Sequence, residues 1–181
     1  MEKGLNVVDD FLKEPIDGLH DLDYLWRVRL DRAEKKSYYW HDCQSVPETP
    51  LQKLCLLVWG SWLGDKLLDY EGIEYWVVYY KQEGSVCVHI DDCVYLNDKD
   101  YRPVYGSVYY PVPITCTGGE YIYMENGLDS DHVDMVVPRE NRLLYSEQGT
   151  VYHAVTDWEG DRVSIAMNLW RKKPPCEYPI E

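Results

Sequence analysis

The stretch 153-HAVTDWEGDRVSIAMNLW-170 decides the fold of this chain. Two runs rich in Val, Ile and aromatic residues flank the turn-forming sequence TDWEGD, so we predict two strands and place Trp158 in the turn, near the mouth of a barrel. On a strand, residues two apart point to the same face, so Arg162 and Ser164 share a face. If that face is buried, the guanidinium fork of Arg162 requires a carboxylate partner. The alternative is an ordinary Arg–Ser pair on a strand surface.

A second strand-like stretch, 87-CVHIDDCVYLND-98, carries His89 and Asp91 two residues apart. Their side chains are expected on one face, with that of Asp92 turned away from them. Together with His153 they give two imidazoles and one carboxylate, the ligand set of a facial triad for a divalent metal. An H-x-D sequence alone is more often a solvated or structural pair than a metal site. The later histidine is what favours the metal site.

The surrounding chain reads as mainly β with N-terminal helices. The pattern predicts an opening strand over 6–12 and amphipathic helices over 17–37 and 50–68. From residue 73 onward, eight short runs rich in Val, Ile, Tyr and Trp alternate with turn signals, which is typical of a jelly roll or barrel. We therefore predict one domain over 1–181, with residues 1–70 as a helical buttress and residues 73–171 as the β core.

The amino-acid composition indicates which classes of binding partner to expect. The formal net charge is −14, from 18 basic and 32 acidic side chains, which disfavours nucleic acid and anionic membranes and slightly favours a cationic substrate. The six cysteines form no C-x-x-C pair, and the N-terminal sequence has no apolar signal core, so we expect reduced thiols and a cytoplasmic protein. Nothing in the sequence indicates the oligomeric state.

The order H-x-D…H…R-x-S resembles the 2-oxoglutarate- and Fe(II)-dependent oxygenase superfamily, in its prolyl-hydroxylase-like branch. The resemblance covers about residues 73–171 and includes the sequence TGGEYIYME, while NVVDDFL resembles the opening strand of that branch. It implies a double-stranded β-helix, which is a jelly roll of cupin-like type. The residues that carry the pattern are His89, Asp91, His153, Arg162 and Ser164.

The resemblance also implies roles for these residues. His89, Asp91 and His153 would be the catalytic metal ligands and bind Fe(II), while the cosubstrate 2-oxoglutarate would chelate the iron. Arg162 and Ser164 would bind the distal carboxylate of that cosubstrate. Two tyrosines match positions where some hydroxylases of this branch bind cosubstrate, with simple packing as the alternative; they are Tyr80 and Tyr110. Ascorbate is implied as an accessory reductant.

The implied activity is hydroxylation of an unactivated C–H bond, with release of succinate and CO2. Halogenating relatives have a small residue in place of the metal-binding carboxylate, so Asp91 indicates hydroxylation, with desaturation and ring closure as alternatives that use the same triad. Collagen-type enzymes have a lysine where this chain has Arg162. An arginine at this position resembles the hypoxia-sensing and bacterial small-molecule hydroxylases. The expected substrate is a small amino-acid-like metabolite or a peptidyl residue such as proline. The alternative function is a cupin-like module that binds a metal or small molecule without catalysis.

Overall fold

The computed structural model of the protein describes residues 4–35, 38–91, 101–129, 131–147 and 149–175. Within these ranges the chain forms eleven strands and two α-helices, and the strands belong to two antiparallel sheets. The larger sheet contains, in spatial order, β1 (Leu5–Val8), β9 (Arg142–Ser146), β5 (Pro103–Tyr110), β11 (Arg162–Trp170), β3 (Gly72–Tyr80) and β2 (Tyr39–Asp42). The smaller sheet contains β4 (Glu83–His89), β10 (Tyr152–Glu159), β7 (Tyr121–Met124) and β8 (Val133–Val136), with β6 (Thr117–Gly118) paired to β10.

The central strands of the larger sheet are buried on both faces. All nine residues of β11 are buried, and alternate positions have different surroundings. On one face the apolar residues join the main hydrophobic core; they are Val163, Ile165, Met167 and Leu169. On the other face the residues line a cavity between the two sheets; they are Arg162, Ser164, Ala166, Asn168 and Trp170. A register slip of one residue would move Arg162 and Ser164 into the apolar core, so this alternation fixes the register.

The two helices supply most of the other side of that core. Helix α1 (Leu22–Lys35) begins after Asp21, whose carboxylate accepts hydrogen bonds from the backbone N–H groups of Asp23 and Tyr24. Such an N-cap satisfies donors that have no partner inside the helix. Leu25 is fully buried, whereas Leu22 and Leu30 are each 44% exposed.

Helix α2 (Pro50–Leu63) has a complete capping box. Thr49 accepts from the backbone of Gln52, the Gln52 side chain accepts from the Thr49 backbone, and Pro50 occupies the first turn. Its buried residues are Leu51, Leu54, Cys55, Val58 and Trp59. The helix ends at Leu63, and a 3-10 helix, Gly64–Asp69, completes the predicted 50–68 segment.

The predicted fold class is confirmed: the described chain is mainly β with N-terminal helices, and its two opposed sheets form a double-stranded β-helix. Each of the eight predicted β runs contains a strand. Two short strands, β2 and β6, were not predicted. The N-terminal seventy residues contribute β1 and β2 to the larger sheet in addition to the helices, and the division near residue 70 stays a prediction.

Two composition-based expectations concern cysteines and membranes. Four cysteines lie in the described part of the chain and all are free thiols, namely Cys43, Cys55, Cys87 and Cys116. Cys93, Cys176 and Asp92 lie outside the described residues.

Within the described ranges, neither helix has the length and apolar character needed to cross a bilayer.

Candidate active site

The three candidate metal ligands meet at the pairing of β4 with β10. His153 lies directly opposite His89 in the antiparallel register, and their ring centroids are 4.2 Å apart. Asp91 follows β4 and places one carboxylate oxygen 3.6 Å from Nε2 of His89 and the other 3.9 Å from Nε2 of His153. One ligand atom from each residue lies within 4.8 Å of the others. The structure therefore brings together the three side chains that the sequence proposed.

Both imidazoles are oriented by backbone carbonyls. Nδ1 of His89 lies 2.8 Å from the carbonyl oxygen of Cys87, and Nδ1 of His153 lies 2.9 Å from that of Val151. A carbonyl oxygen can only accept, so each Nδ1 carries the proton and each Nε2 of the neutral ring presents its lone pair to the centre of the site. Burial lowers the pKa of His153, although Asp91 opposes this effect, which favours the neutral, metal-binding form.

The donor set fits a divalent transition metal. Two imidazoles from paired strands and one carboxylate just after β4 would hold such an ion from one side and leave other coordination positions open. The second carboxylate oxygen has a defined partner, because Nδ2 of Asn168 donates to Oδ2 of Asp91 over 3.1 Å. Such second-sphere hydrogen bonds orient the ligands of metal sites.

Asn168 was not identified from the sequence. Asn168 occupies the cavity-facing row of β11, six residues after Arg162. The sequence feature that could have identified it is a polar residue in the same alternating row as Arg162 and Ser164, on a strand whose residues are all buried. Gly106, its register partner on β5, makes room for the amide: a Cβ at Gly106 would lie 3.2 Å from Oδ1 of Asn168.

Arg162 is the most deeply buried charged residue of the described chain, with 1% exposure. Its guanidinium donates to the hydroxyls of Ser164, at 3.1 Å, and Tyr110, at 3.2 Å, and its Nε donates to the carbonyl of Gly119. Within the described ranges, no carboxylate lies at ion-pair distance from it. A buried cation without a counter-ion is costly, so this position favours an anionic ligand in the cavity.

The backbone beside Arg162 requires glycine. Gly119 has φ +75°, a conformation that L side chains rarely adopt, and a Cβ there would lie 3.0 Å from Cδ of Arg162. The second glycine of the sequence TGGEYIYME, Gly119, therefore allows the backbone to approach the Arg162 side chain closely.

The structure places the two candidate tyrosines differently. Tyr110 is fully buried, and its hydroxyl contacts the guanidinium of Arg162. Tyr80 lines the rim of the cavity, is 40% exposed and packs edge-on against Trp158. Both lie beside Arg162, and direct contact of either with a cosubstrate stays a prediction.

The turn position predicted for Trp158 is wrong. Trp158 lies inside β10, is 3% exposed, and holds its ring 5.3 Å from Cζ of Arg162. The pairing of β10 with β4 shifts register twice between His153 and Trp158, so the strand continues to Glu159. The turn forms at Gly160, which has φ +100°. Trp158 thus covers the arginine instead of extending from a hairpin.

A cavity of about 580 Å³ connects these groups. Its lining includes Arg162 and Ser164, the His89–Asp91–His153 triad, and aromatic and charged residues of β3, α1 and the segment before β2. Tyr121, which sequence reasoning missed, stacks on His153 with ring centroids 5.5 Å apart. The volume is within the usual range for small-molecule sites.

Comparison with solved structures finds a similar fold in several prolyl hydroxylases. A prolyl-4-hydroxylase from Pseudomonas putida is 20% identical over 94% of this chain and 89% of that chain, with a TM-score of 0.65. A Trichoplax adhaerens prolyl hydroxylase, solved with a hypoxia-inducible-factor peptide fragment, is 17% identical over 93% of this chain and 84% of that chain, with a TM-score of 0.58.

A third neighbour is the viral collagen prolyl hydroxylase of Paramecium Bursaria Chlorella virus-1, solved with 2-oxoglutarate. It is 15% identical over 93% of this chain and 96% of that chain, with a TM-score of 0.57. No family model and no curated protein sequence matches the chain. At these identities the comparisons establish the double-stranded β-helix of the oxygenases as the fold.

Proposed function

We propose that this protein is an Fe(II)- and 2-oxoglutarate-dependent dioxygenase that hydroxylates an unactivated C–H bond. One observation carries the proposal: a buried arginine, Arg162, with no carboxylate partner among the described residues, lines the same cavity as a His–Asp–His set. An oxygenase that uses a dicarboxylate cosubstrate needs both features in one cavity.

Each residue has a role in this proposal. His89, Asp91 and His153 hold the iron, which supplies the oxidative chemistry that couples decarboxylation of 2-oxoglutarate to hydroxylation. Arg162 and Ser164 bind the distal carboxylate of 2-oxoglutarate, and Tyr110 keeps the guanidinium in place. Trp158 and Tyr80 exclude water from that end of the cavity. Asp91 favours hydroxylation over halogenation because it occupies the position that chloride would need.

The substrate class in this proposal is a small amino-acid-like metabolite or a peptidyl residue such as proline. The peptide bound to the Trichoplax prolyl hydroxylase supports including peptidyl residues among the candidate substrates. A cytoplasmic location and the use of ascorbate as reductant remain predictions from the sequence.

The test is turnover by the full-length protein. With Fe(II), ascorbate and oxygen, we expect slow conversion of 2-oxoglutarate to succinate, and loss of that conversion in Asp91→Ala and in Arg162→Met. The matched control is His132→Ala, since His132 is an exposed histidine beside Asp134 and away from the cavity. Binding of metal without succinate formation under any condition would instead favour the non-catalytic cupin-like module.

A further inference from the structure

The smaller sheet has an apolar outer face, on the side away from the cavity. Helices α1 and α2 join the hydrophobic core on the larger sheet, and no described residue of the smaller sheet belongs to that core. On the inner face of the smaller sheet, Tyr121 and Tyr123 of β7 line the cavity. Side chains alternate along a strand, so Ile122 and Met124 of β7 point to the outer face.

The register of the neighbouring strands extends this outer face. Residues directly opposite each other in a sheet point to the same side. On β8, Met135 lies opposite Ile122, and Val133 lies opposite Met124. On β10 the residues opposite these two positions of β7 are also uncharged. The outer face therefore contains six apolar or aromatic side chains on three adjacent strands: Ile122, Met124, Val133, Met135, Tyr152 and Ala154.

Strand β8 is the most exposed part of this face. Val133 is 49% exposed and Met135 is 62% exposed, and Val137, which follows the strand, is 59% exposed. Single exposed apolar residues are common on protein surfaces, whereas a contiguous row of them beside other apolar side chains is typical of an interaction site.

The backbone of β8 forms one edge of the smaller sheet. Within the described ranges, β7 is the only strand that pairs with it. The other side of β8 therefore presents backbone N–H and C=O groups without a strand partner, and such an edge is a template for pairing with another chain. The strand has only four residues, so the side chains in and around it must decide which chain pairs with it.

The side chains of β8 are complementary to those of a second copy of the same strand. A two-fold, antiparallel pairing centred on Met135 places Val133 of each copy opposite Val137 of the other, so the apolar row faces its own copy. Asp134, the charged residue within the strand, then lies opposite Val136. A pairing centred on Asp134 would place two carboxylates opposite each other, which is destabilising. The aspartate therefore favours the pairing centred on Met135.

Opposite charges flank the strand. Asp131 precedes β8 and Arg139 follows it at equal distance from Met135, so the same pairing brings Asp131 of each copy to Arg139 of the other. Asp131 is exposed and forms no ion pair within the described chain. Arg139 is 56% exposed, and because only its Nη1 donates to Asp9, its other N–H groups can donate to a second carboxylate.

We propose that two copies of this chain associate through β8, in an antiparallel two-fold pairing centred on Met135. The pairing extends the smaller sheet across both copies and covers the exposed row formed by Val133, Met135 and Val137. The cavity lies on the other face of the sheet, so this inference does not depend on the proposed function.

Sedimentation velocity of the full-length protein measures the association. We expect a dimer whose population falls on dilution. Met135→Glu should raise the dissociation constant by about 100-fold or more, because two carboxylates would face each other at the centre of the pairing. Asp131→Lys should raise it by about 10-fold, because it replaces an attraction by a repulsion at both ends. The control is Val46→Glu, which changes a residue that is 83% exposed in the segment before α2, outside this face.

Disulfide cross-linking tests the register. Directly opposite residues of an antiparallel pair have Cα atoms about 4.5–5.5 Å apart, which is within the range of a disulfide. Under mild oxidation, Met135→Cys should form a covalent dimer. Val133→Cys alone should not, because it faces Val137 of the other copy, but combined with Val137→Cys it should. Wild type and Val46→Cys measure the background from native thiols and random collision.

Three results would overturn the inference. The first is a protein that stays monomeric up to its highest soluble concentration, which would leave this face to a different partner. The second is a dimer that Met135→Glu does not weaken. The third is cross-linking of Met135→Cys no faster than that of Val46→Cys.

Discussion

The side-chain amide of Asn168 donates a 3.1 Å hydrogen bond to Oδ2 of Asp91, joining β11 of the larger sheet to the residue that follows β4 of the smaller one. The bond leaves Oδ1, the oxygen nearer His89, as the free ligand atom. Asn168 is thus a positioning residue for the proposed metal site.

Replacing Asn168 by Ala should weaken Fe(II) binding by about 10- to 100-fold, because the Asp91 carboxylate loses its orienting donor. Anaerobic calorimetry with Fe(II) measures the effect. Ser107→Ala is the matched control: Ser107 lines the same cavity but donates to the carbonyl of Met167 and does not contact the triad. Equal affinities in wild type and Asn168→Ala would show that Asp91 is oriented without the amide.

Arg162→Met should weaken 2-oxoglutarate binding by about 30-fold or more while Fe(II) affinity stays close to that of wild type. The reason is the loss of a buried, hydrogen-bonded charge partner for the ligand, which costs roughly 2–5 kcal/mol. The ligand-free variant should unfold at the same temperature as wild type or higher, since a buried cation without a described counter-ion is removed. Addition of 2-oxoglutarate should raise Tm in wild type only.

Arg171→Met is the control for that change, because Arg171 is an exposed arginine that packs on Tyr70 outside the cavity lining. A variant at Arg162 that binds 2-oxoglutarate as tightly as wild type would remove this residue from the cosubstrate site.

Gly119→Ala should reduce both stability and 2-oxoglutarate affinity. An L residue at φ +75° costs roughly 1–2 kcal/mol, and the added methyl group would press on Cδ of Arg162. Gly127→Ala is a matched control for the backbone, since Gly127 has φ +89° but its Cβ would meet only Tyr152 at ordinary contact distance. Both variants should lose stability in urea titrations, and only Gly119→Ala should lose cosubstrate affinity; equal affinity losses would contradict the proposed contact.

The ion pair of Asp9 with Arg142 should make stability depend on pH. The Arg142 hydrogen bond holds the pKa of Asp9 below its ordinary value of 3.8, desolvation opposes this lowering, and the charges of Arg142 and Arg139 add to it. A carboxylate whose pKa is depressed by folding stabilises the native state above its unfolded pKa, and the contribution disappears as the pH falls through the folded pKa. The stability difference between wild type and Asp9→Asn should therefore shrink as the pH falls through and below the ordinary Asp value of 3.8.

Urea unfolding across that range measures the difference, with Asp17→Asn as the control at an exposed position without a described ion pair. A difference that stays constant with pH would mean that the ion pair does not contribute to stability.

Side chains on a strand alternate between its two faces, and this alternation explains which site residues could be predicted from the sequence. Arg162 and Ser164 share a face because they are two residues apart, and His89 and Asp91 were paired for the same reason. Contacts between distant segments follow no such rule. Asn168 and Asp91 are 77 positions apart, and nothing in either neighbourhood indicates that they meet.

Trp158 shows a second limit. Turn-forming residues around it suggested a loop, but register shifts between β10 and β4 carried the strand past it and buried the indole against Arg162. Strand β2 was missed because a four-residue strand containing His41 and Asp42 has too little β-type sequence to stand out; its pairing with β3 supplies the stability that its own sequence does not.

Anaerobic absorption spectroscopy of the full-length protein tests the central claim most directly. Addition of Fe(II) and 2-oxoglutarate should produce a visible metal-to-ligand band that saturates near one iron per chain. The band should be lost in Asp91→Ala and should require much more 2-oxoglutarate in Arg162→Met. Absence of the band in wild type, or its persistence unchanged in both variants, would contradict the assignment of iron to the His89–Asp91–His153 site and of 2-oxoglutarate to Arg162.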